Sequence, residues 1–335
     1  MRSLLLIGLM CASLPALDQL DVPIARQWFT PIQPDAAPRL SGAWGVEQAA
    51  AVRGAATTLQ RAGGFASVTG RVWHDANAES WVRATIVDLR VDSDAALPVT
   101  GQLPHHLQDI RLGGFWRMKT ASGAIVGVDA ELSSPSDQPY ANREVIAHSA
   151  TLFSRVPTTG MDAWLLVLRH DSTSAIRSGV PLPGVGYQWM RPGLRASLGI
   201  PFAMIDWRPI DDWSVSANYF PIDTGNIAVC WAPGSPALAM APTIAPWAAR
   251  AGMSVNYETW LRADRVDHDD RLTFRTIRAY VSGSWEPSSD CSLQLAVGRI
   301  LLREVYETHN RSTRADNNIR IDPAWYGALS FKLWF

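Results

Sequence analysis

The twelve residues from Ala324 to Phe335, AWYGALSFKLWF, constrain the fold more than any other stretch. Trp325, Gly327, Leu329, Phe331, Leu333 and Phe335 share one parity. Tyr326, Ser330 and Lys332 share the other with Ala324 and Ala328, and Trp334 is the one large apolar exception. A side-chain period of two is that of a β-strand. About eleven residues of tilted strand cross an apolar band roughly 25 Å tall, with aromatics at its edges. Trp325 and Phe335 sit at those two edges, so the expectation is a membrane-spanning strand that closes a β-barrel. The competing expectation is the last strand of a soluble β-sandwich.

The first residues point the same way. Met1-Arg-Ser, an apolar run from Leu4 and the small residues up to Ala16 read as a secretory signal peptide. Cleavage is expected after Ala16, and the run is too short to span a bilayer as a helix. Cys11 follows the bulky Met10, which disfavours lipidation. Residues 17–37, with Pro23, Pro31 and Pro34, read as an irregular periplasmic leader. Residues 38–335 then form a single outer-membrane barrel.

Composition excludes several classes. Thirty basic and 31 acidic residues give a net charge of −1, so nucleic-acid binding has no support. Nothing else approaches eighteen consecutive apolar residues, so no transmembrane helix follows. Fifteen Trp is high for 335 residues and suits interfacial girdles better than a soluble core. Of Cys230 and Cys291, one falls in a strand and the other in a turn, which argues against a disulfide.

Apolar–polar alternation runs from about Leu40 onward, with turn residues every ten to eighteen positions. It gives about fifteen candidate strands. Since single-chain barrels have an even number, the expectation is an up-and-down antiparallel barrel of 12–16 strands, with either one of these candidates wrong or one strand missed in the Ala-rich stretch 49–62. Within 194–206, Pro201 suggests a bulge, and Gly298-Arg299 suggests another in 292–306. Residues 307–323 and 263–271 read as long outer loops.

The two faces of the alternation define the candidate site. Arg111, Arg117, Asp129, Glu131, Arg250, Glu258, Arg278 and Lys332 project to the expected lumen. Trp213, Trp247, Trp285, Trp325 and Phe335 project to the membrane interface. Interior charges imply either a water channel or a plug of salt bridges. Val255→Arg on the lipid face is expected to cost about 2–4 kcal/mol, with Asn256→Arg better tolerated.

Residues 181–189 (PLPGVGYQW), Gly199-Ile-Pro-Phe202, Trp207-Arg-Pro209, Asp212-Trp213 and Tyr219-Phe-Pro221 carry a resemblance. The chain over about 180–335 resembles a family of exported bacterial outer-membrane β-barrels known only as a domain of unknown function. The resemblance implies fold and location and no activity.

No Gly-x-Ser-x-Gly elbow, His-Glu-x-x-His, Cys-x-x-Cys or phosphate-cradling loop occurs. Adjacent His105 and His106 read as a solvated turn, and the Asp264–Asp270 stretch lacks the calcium-loop pattern. No metal or cofactor is expected. The reading is a non-enzymatic barrel, a passive solute pore or structural surface barrel, in the outer membrane of a Gram-negative-type bacterium. Its partners are outer-membrane lipid and, through the strand ending at Phe335, the barrel-assembly machinery. The alternatives are a barrel lipid hydrolase using His148 with Ser149 or Ser154 with His170, and a periplasmic ligand-binding sandwich.

Overall fold

The computed structural model describes residues 28–30, 32, 37–98, 100–173, 179–220, 224–235, 246–265, 270–288, 290–309 and 312–335, with backbone only at 309 and 312–316. These residues are predominantly β-strands joined by turns, with a 3-10 turn at Arg143–Val145. The wall begins with β1 (Arg39–Glu47, resumed at Ala50–Ala51), β2 (Thr58–His74), β3 (Ala78–Asp92), β4 (His106–Lys119) and β5 (Ile125–Ser133). It continues through β6 (Ala147–Pro157), β7 (Ala163–Asp171), β8 (Leu182–Arg191), β9 (Leu194–Ile200), β10 (Ala203–Ile210) and β11 (Trp213–Phe220). It ends with β12 (Thr224–Trp231), β13 (Trp247–Trp260), β14 (Arg271–Ser288), β15 (Cys291–His309) and β16 (Ser312–Ile321 and Ala324–Trp334).

Every strand pairs antiparallel with its sequence neighbours. β16 returns to β1 in a continuous register from Arg39↔Trp334 to Glu47↔Tyr326. The sheet therefore closes into a 16-strand barrel with no free edge. The C-terminal stretch closes it, as its alternation predicts.

Two sequence expectations are corrected. Residues 194–207 are not one bulged strand: the chain turns at Pro201 and Phe202, between β9 and β10. The missing strand lay there; residues 50–51 only prolong β1. Residues 307–323 are not a loop: β15 and β16 continue as a hairpin, Arg303↔Ile321 to His309↔Ser312. The expected bulge in β15 falls at Leu301, which is skipped between Ile277↔Leu302 and Arg278↔Ile300. Arg262-to-Asp270 does connect two strands, but residues 266–269 lie outside the described residues.

The outward face is apolar. Ile86, Leu112, Leu152, Leu166, Val185, Ile227, Val281, Leu295 and Leu329 are all exposed, on strands all round the barrel. Such a continuous exposed belt is stable only in lipid. Near the end that carries Arg39 and Trp334, here the terminal end, the aromatics gather. Trp213 pairs with Trp231, and Trp247 pairs with Trp285 with rings 5.6 Å apart. At the other, distal end, outward-facing charges resume: Glu304 takes Arg275 at 3.1 Å and Arg320 at 3.0 Å. These charges mark where the wall leaves the apolar band. β9 to β12 have only 7 or 8 residues, whereas β14 and β15 have 18 and 19, so the distal rim slopes across the barrel.

Candidate functional site in the barrel lumen

Sixteen strands enclose enough room for an aqueous channel. The inner face divides into a sealed sector, a charged ladder and a solvated sector.

The sealed sector belongs to β1–β4 and β13–β16. Glu47 is fully buried and receives Arg61 from β2 (Nη2–Oε1 2.9 Å, Nε–Oε2 3.1 Å) and Arg303 from β15 (Nη2–Oε2 2.9 Å). Arg278 of β14 adds a longer contact to Glu47 at 3.5 Å, and Arg61 Nη1 reaches Glu258 of β13 at 3.1 Å. Arg61 also lies 4.9 Å over the Phe274 ring and Arg278 5.6 Å over Tyr326. A buried guanidinium is tolerated only with such partners, because removal from water otherwise costs several kcal/mol per ion. Distal to this cluster the lumen turns apolar, with Leu59, Leu89, Leu107, Leu272 and Phe274 all fully buried. The connection after β3 folds a small hairpin, Ala96–Leu97 with Gly101–Gln102, over the distal end and inserts Leu97 and Leu103 into the same layer. Arg262 clips it down by donating to the Thr100 carbonyl at 3.2 Å while facing Glu307 at 3.7 Å.

The ladder runs up β2–β5. Glu79 takes Arg117 at 2.5 Å and Arg71 at 3.7 Å; Arg83 bridges Asp129 at 3.5 Å and Glu131 at 2.8 Å; Arg111 links Glu131 at 3.8 Å to Asp109 at 2.5 Å. Glu79 and Arg117 stand directly opposite each other on β3 and β4, and Arg83 reaches β5 across Gly113, whose missing side chain leaves the way to Glu131 open.

Trp28–Thr30, the longest described run of the expected periplasmic leader, lies inside the barrel against this ladder. Trp28 donates from Nε1 to Asp129 at 3.1 Å and stacks on Phe153 at 5.2 Å. Arg117 donates to the Thr30 carbonyl at 2.6 Å. Phe29 is buried among Ile125, Phe153, Leu165, Phe202 and Met204. Beside Phe29 lies a cavity of about 10 Å³, bounded by Gln188, Arg195 and Asp206, room for roughly one water.

The solvated sector covers the terminal half of β11–β16 and the start of β1. Its inward residues are short and polar: Ser214, Ser216, Cys230, Ser284, Ser292, Gln294, Ser330 and Ser41, each partly exposed. Arg250 stands between Cys230 and Ser282 in register, and Lys332 between Ser41 and Ser292. Cys230 and Cys291 are both free thiols.

The sequence-derived lumen residues are thus distributed over all three sectors. Arg111, Arg117, Asp129 and Glu131 belong to the ladder; Glu258 and Arg278 to the sealed cluster; Arg250 and Lys332 to the solvated wall. Trp213, Trp247, Trp285, Trp325 and Phe335 are exposed at 45%, 60%, 40%, 56% and 70%. Sequence reasoning missed Glu47, Arg61 and Arg303. Arg61 lay in the Ala-rich stretch left unassigned, although Leu59, Arg61, Gly63 and Phe65 keep one parity. Arg303 lies beyond the Leu301 bulge, where parity reverses.

Asn256 does not offer open space for an Arg. It is 6% exposed and donates to Glu258 Oε1 at 3.1 Å. Neither hydrolase dyad is assembled: His148 and Ser149 are successive residues of β6 and point to opposite faces. Ser154 pairs with Leu166, four residues along β7 from His170. His170 instead meets His148, Nε2 to Nε2 at 3.2 Å, on exposed surface.

No family model matches the chain, and no curated protein matches it. Among solved structures, it aligns with an outer-membrane channel of Pseudomonas putida F1 at 12% identity and a TM-score of 0.40, over 91% of this chain and 97% of that one. It aligns with the toluene transporter TodX of Pseudomonas putida at 10% identity and 0.37, over 90% of each chain. Pseudomonas putida OprB follows at 12% identity and 0.35, over 90% of this chain and 92% of that one. At these scores the assignment of a transmembrane β-barrel rests on the chain's own strand ladder and apolar belt.

Proposed function

We propose that the chain is a passive solute pore of the outer membrane, with its terminal end in the periplasm and no enzymatic activity. The observation that carries this reading is the solvated sector. A lumen meant only to hold a barrel shut would be packed throughout, as the β1–β4 side is. The β11–β16 side instead presents hydroxyls, amides and two cations, and among the described inward residues on the terminal side of Tyr280 the one large apolar side chain is Trp334. The sealed cluster, the distal hairpin and Trp28–Thr30 narrow the passage from one side. The C-terminal strand, seated between β15 and β1, is the segment through which the assembly machinery would deliver and close the barrel. Swelling of proteoliposomes in isotonic solutions of small sugars and amino acids tests the pore. Uptake above that of empty vesicles, falling with solute size, supports it. Swelling no faster than in empty vesicles, from protein shown to be folded, overturns it and leaves a structural surface barrel.

A further inference from the structure

Resting on the pore reading, we infer that the lumen selects small anions, such as carboxylates, phosphates or sulfates. The argument is the sign of the charge on the solvated wall. Around the terminal half of β8–β16 and β1, the inward cations are Arg195, Arg250, Lys332 and Arg39. Among the described residues the inward carboxylates of the same wall are Asp206, opposite Arg195 in register, and Glu286 at the mouth. The cations are concentrated at the closure seam. Arg39 pairs with Trp334 and Lys332 with Ser41, so the two are diagonal neighbours on β1 and β16. Ser41, Ser292 and Ser330 place hydroxyls around Lys332, donors that suit an oxyanion. The sealed sector and the ladder nearly balance their own charges, so the field in the open space is set by this wall. A lining on which cations outnumber carboxylates, between low-dielectric walls, concentrates anions at low salt.

Two measurements test this and separate it from the pore reading. The first is the reversal potential in a potassium chloride gradient. Chloride should permeate better than potassium, and the ratio should fall several-fold in the triple variant Arg39→Gln, Lys332→Gln, Arg250→Gln. A conducting protein that prefers potassium, or a triple variant with an unchanged ratio, overturns the inference and leaves the pore intact. The second needs no conduction. Cys230 lies beside Arg250 on the lumen face and reports the local field in a Cys11→Ser, Cys291→Ser background. A sulfonate-bearing methanethiosulfonate should modify it faster than a trimethylammonium one at low ionic strength, with the preference reduced by Arg250→Gln. If the protein is silent in bilayers but keeps this preference, the anion-attracting chamber stands and the pore reading fails. Equal rates, or faster reaction with the cation, overturn the inference whatever the conductance.

Discussion

At the scale of single residues, the side chain's face decides its energetics. Val281 is outward and 55% exposed, four residues from the interfacial Trp285 on β14. At roughly 3.3 Å per residue and a tilt near 40°, that places it about 10 Å into the apolar band. Val281→Arg should cost about 2–4 kcal/mol, while Ser284→Arg on the solvated face should change stability little. Equal urea midpoints for the two refolded variants would refute the facing. Glu47 is the opposite case, since one carboxylate faces Arg61, Arg278 and Arg303. Glu47→Gln leaves three buried guanidiniums with Glu258 as their remaining carboxylate, so about 3–5 kcal/mol should be lost in the same urea assay. Asp162 sits in the turn before β7, where hydrogen bonds from Arg191 (2.5 and 2.8 Å) and from the Met190 amide (3.0 Å) hold its carboxyl below the usual range. A depressed folded value stabilises the fold above the ordinary carboxylate range, and that contribution is lost as pH falls through the folded value. Heat-modifiability on gels should therefore fall more steeply below about pH 4 in the wild type than in Asp162→Asn.

At the scale of elements, legibility followed parity. β4, β5, β13 and the second half of β16 alternate over most of their length, with apolar exceptions on the inner parity such as Phe115, Trp260 and Trp334, and their inner and outer faces could be read from the chain alone. Parity fails where the chain turns or slips without a polar signal. Pro201-Phe202 connects β9 to β10 between apolar residues, so Ile200 and Ala203 read as one continuous run. At Leu301 a single extra residue reverses the face, which hid Arg303. The charged run from Glu307 to Asp322 resembles a loop by composition, yet it pairs as a hairpin because it stands beyond the lipid, where an outward charge costs nothing. Trp28–Thr30 had no readable signal, since three residues without periodicity reveal their place only through Phe153, Asp129 and Arg117. If this segment narrows the passage, Trp28→Ala with Phe29→Ala should speed swelling for the larger sugars while leaving the far-ultraviolet spectrum unchanged. An unaltered size cutoff would place the constriction in the sealed sector instead.

At the scale of the molecule, closure and asymmetry explain each other. A sixteen-strand circle is too wide to be filled by side chains projecting from the wall alone. The chain fills one side with an ionic cluster under an apolar layer and a clipped hairpin, and braces another with a ladder of alternating charges. What remains is a hydroxyl-lined chamber beside the short strands, where the distal rim is lowest. That chamber is the central claim, and single-channel recording of detergent-folded protein in a planar bilayer tests it most directly. The account predicts discrete conductance steps of fixed size, larger in the Trp28→Ala, Phe29→Ala variant. Heat-modifiable protein that inserts and stays silent in both forms would contradict it, and would make the barrel a sealed structural element of the membrane.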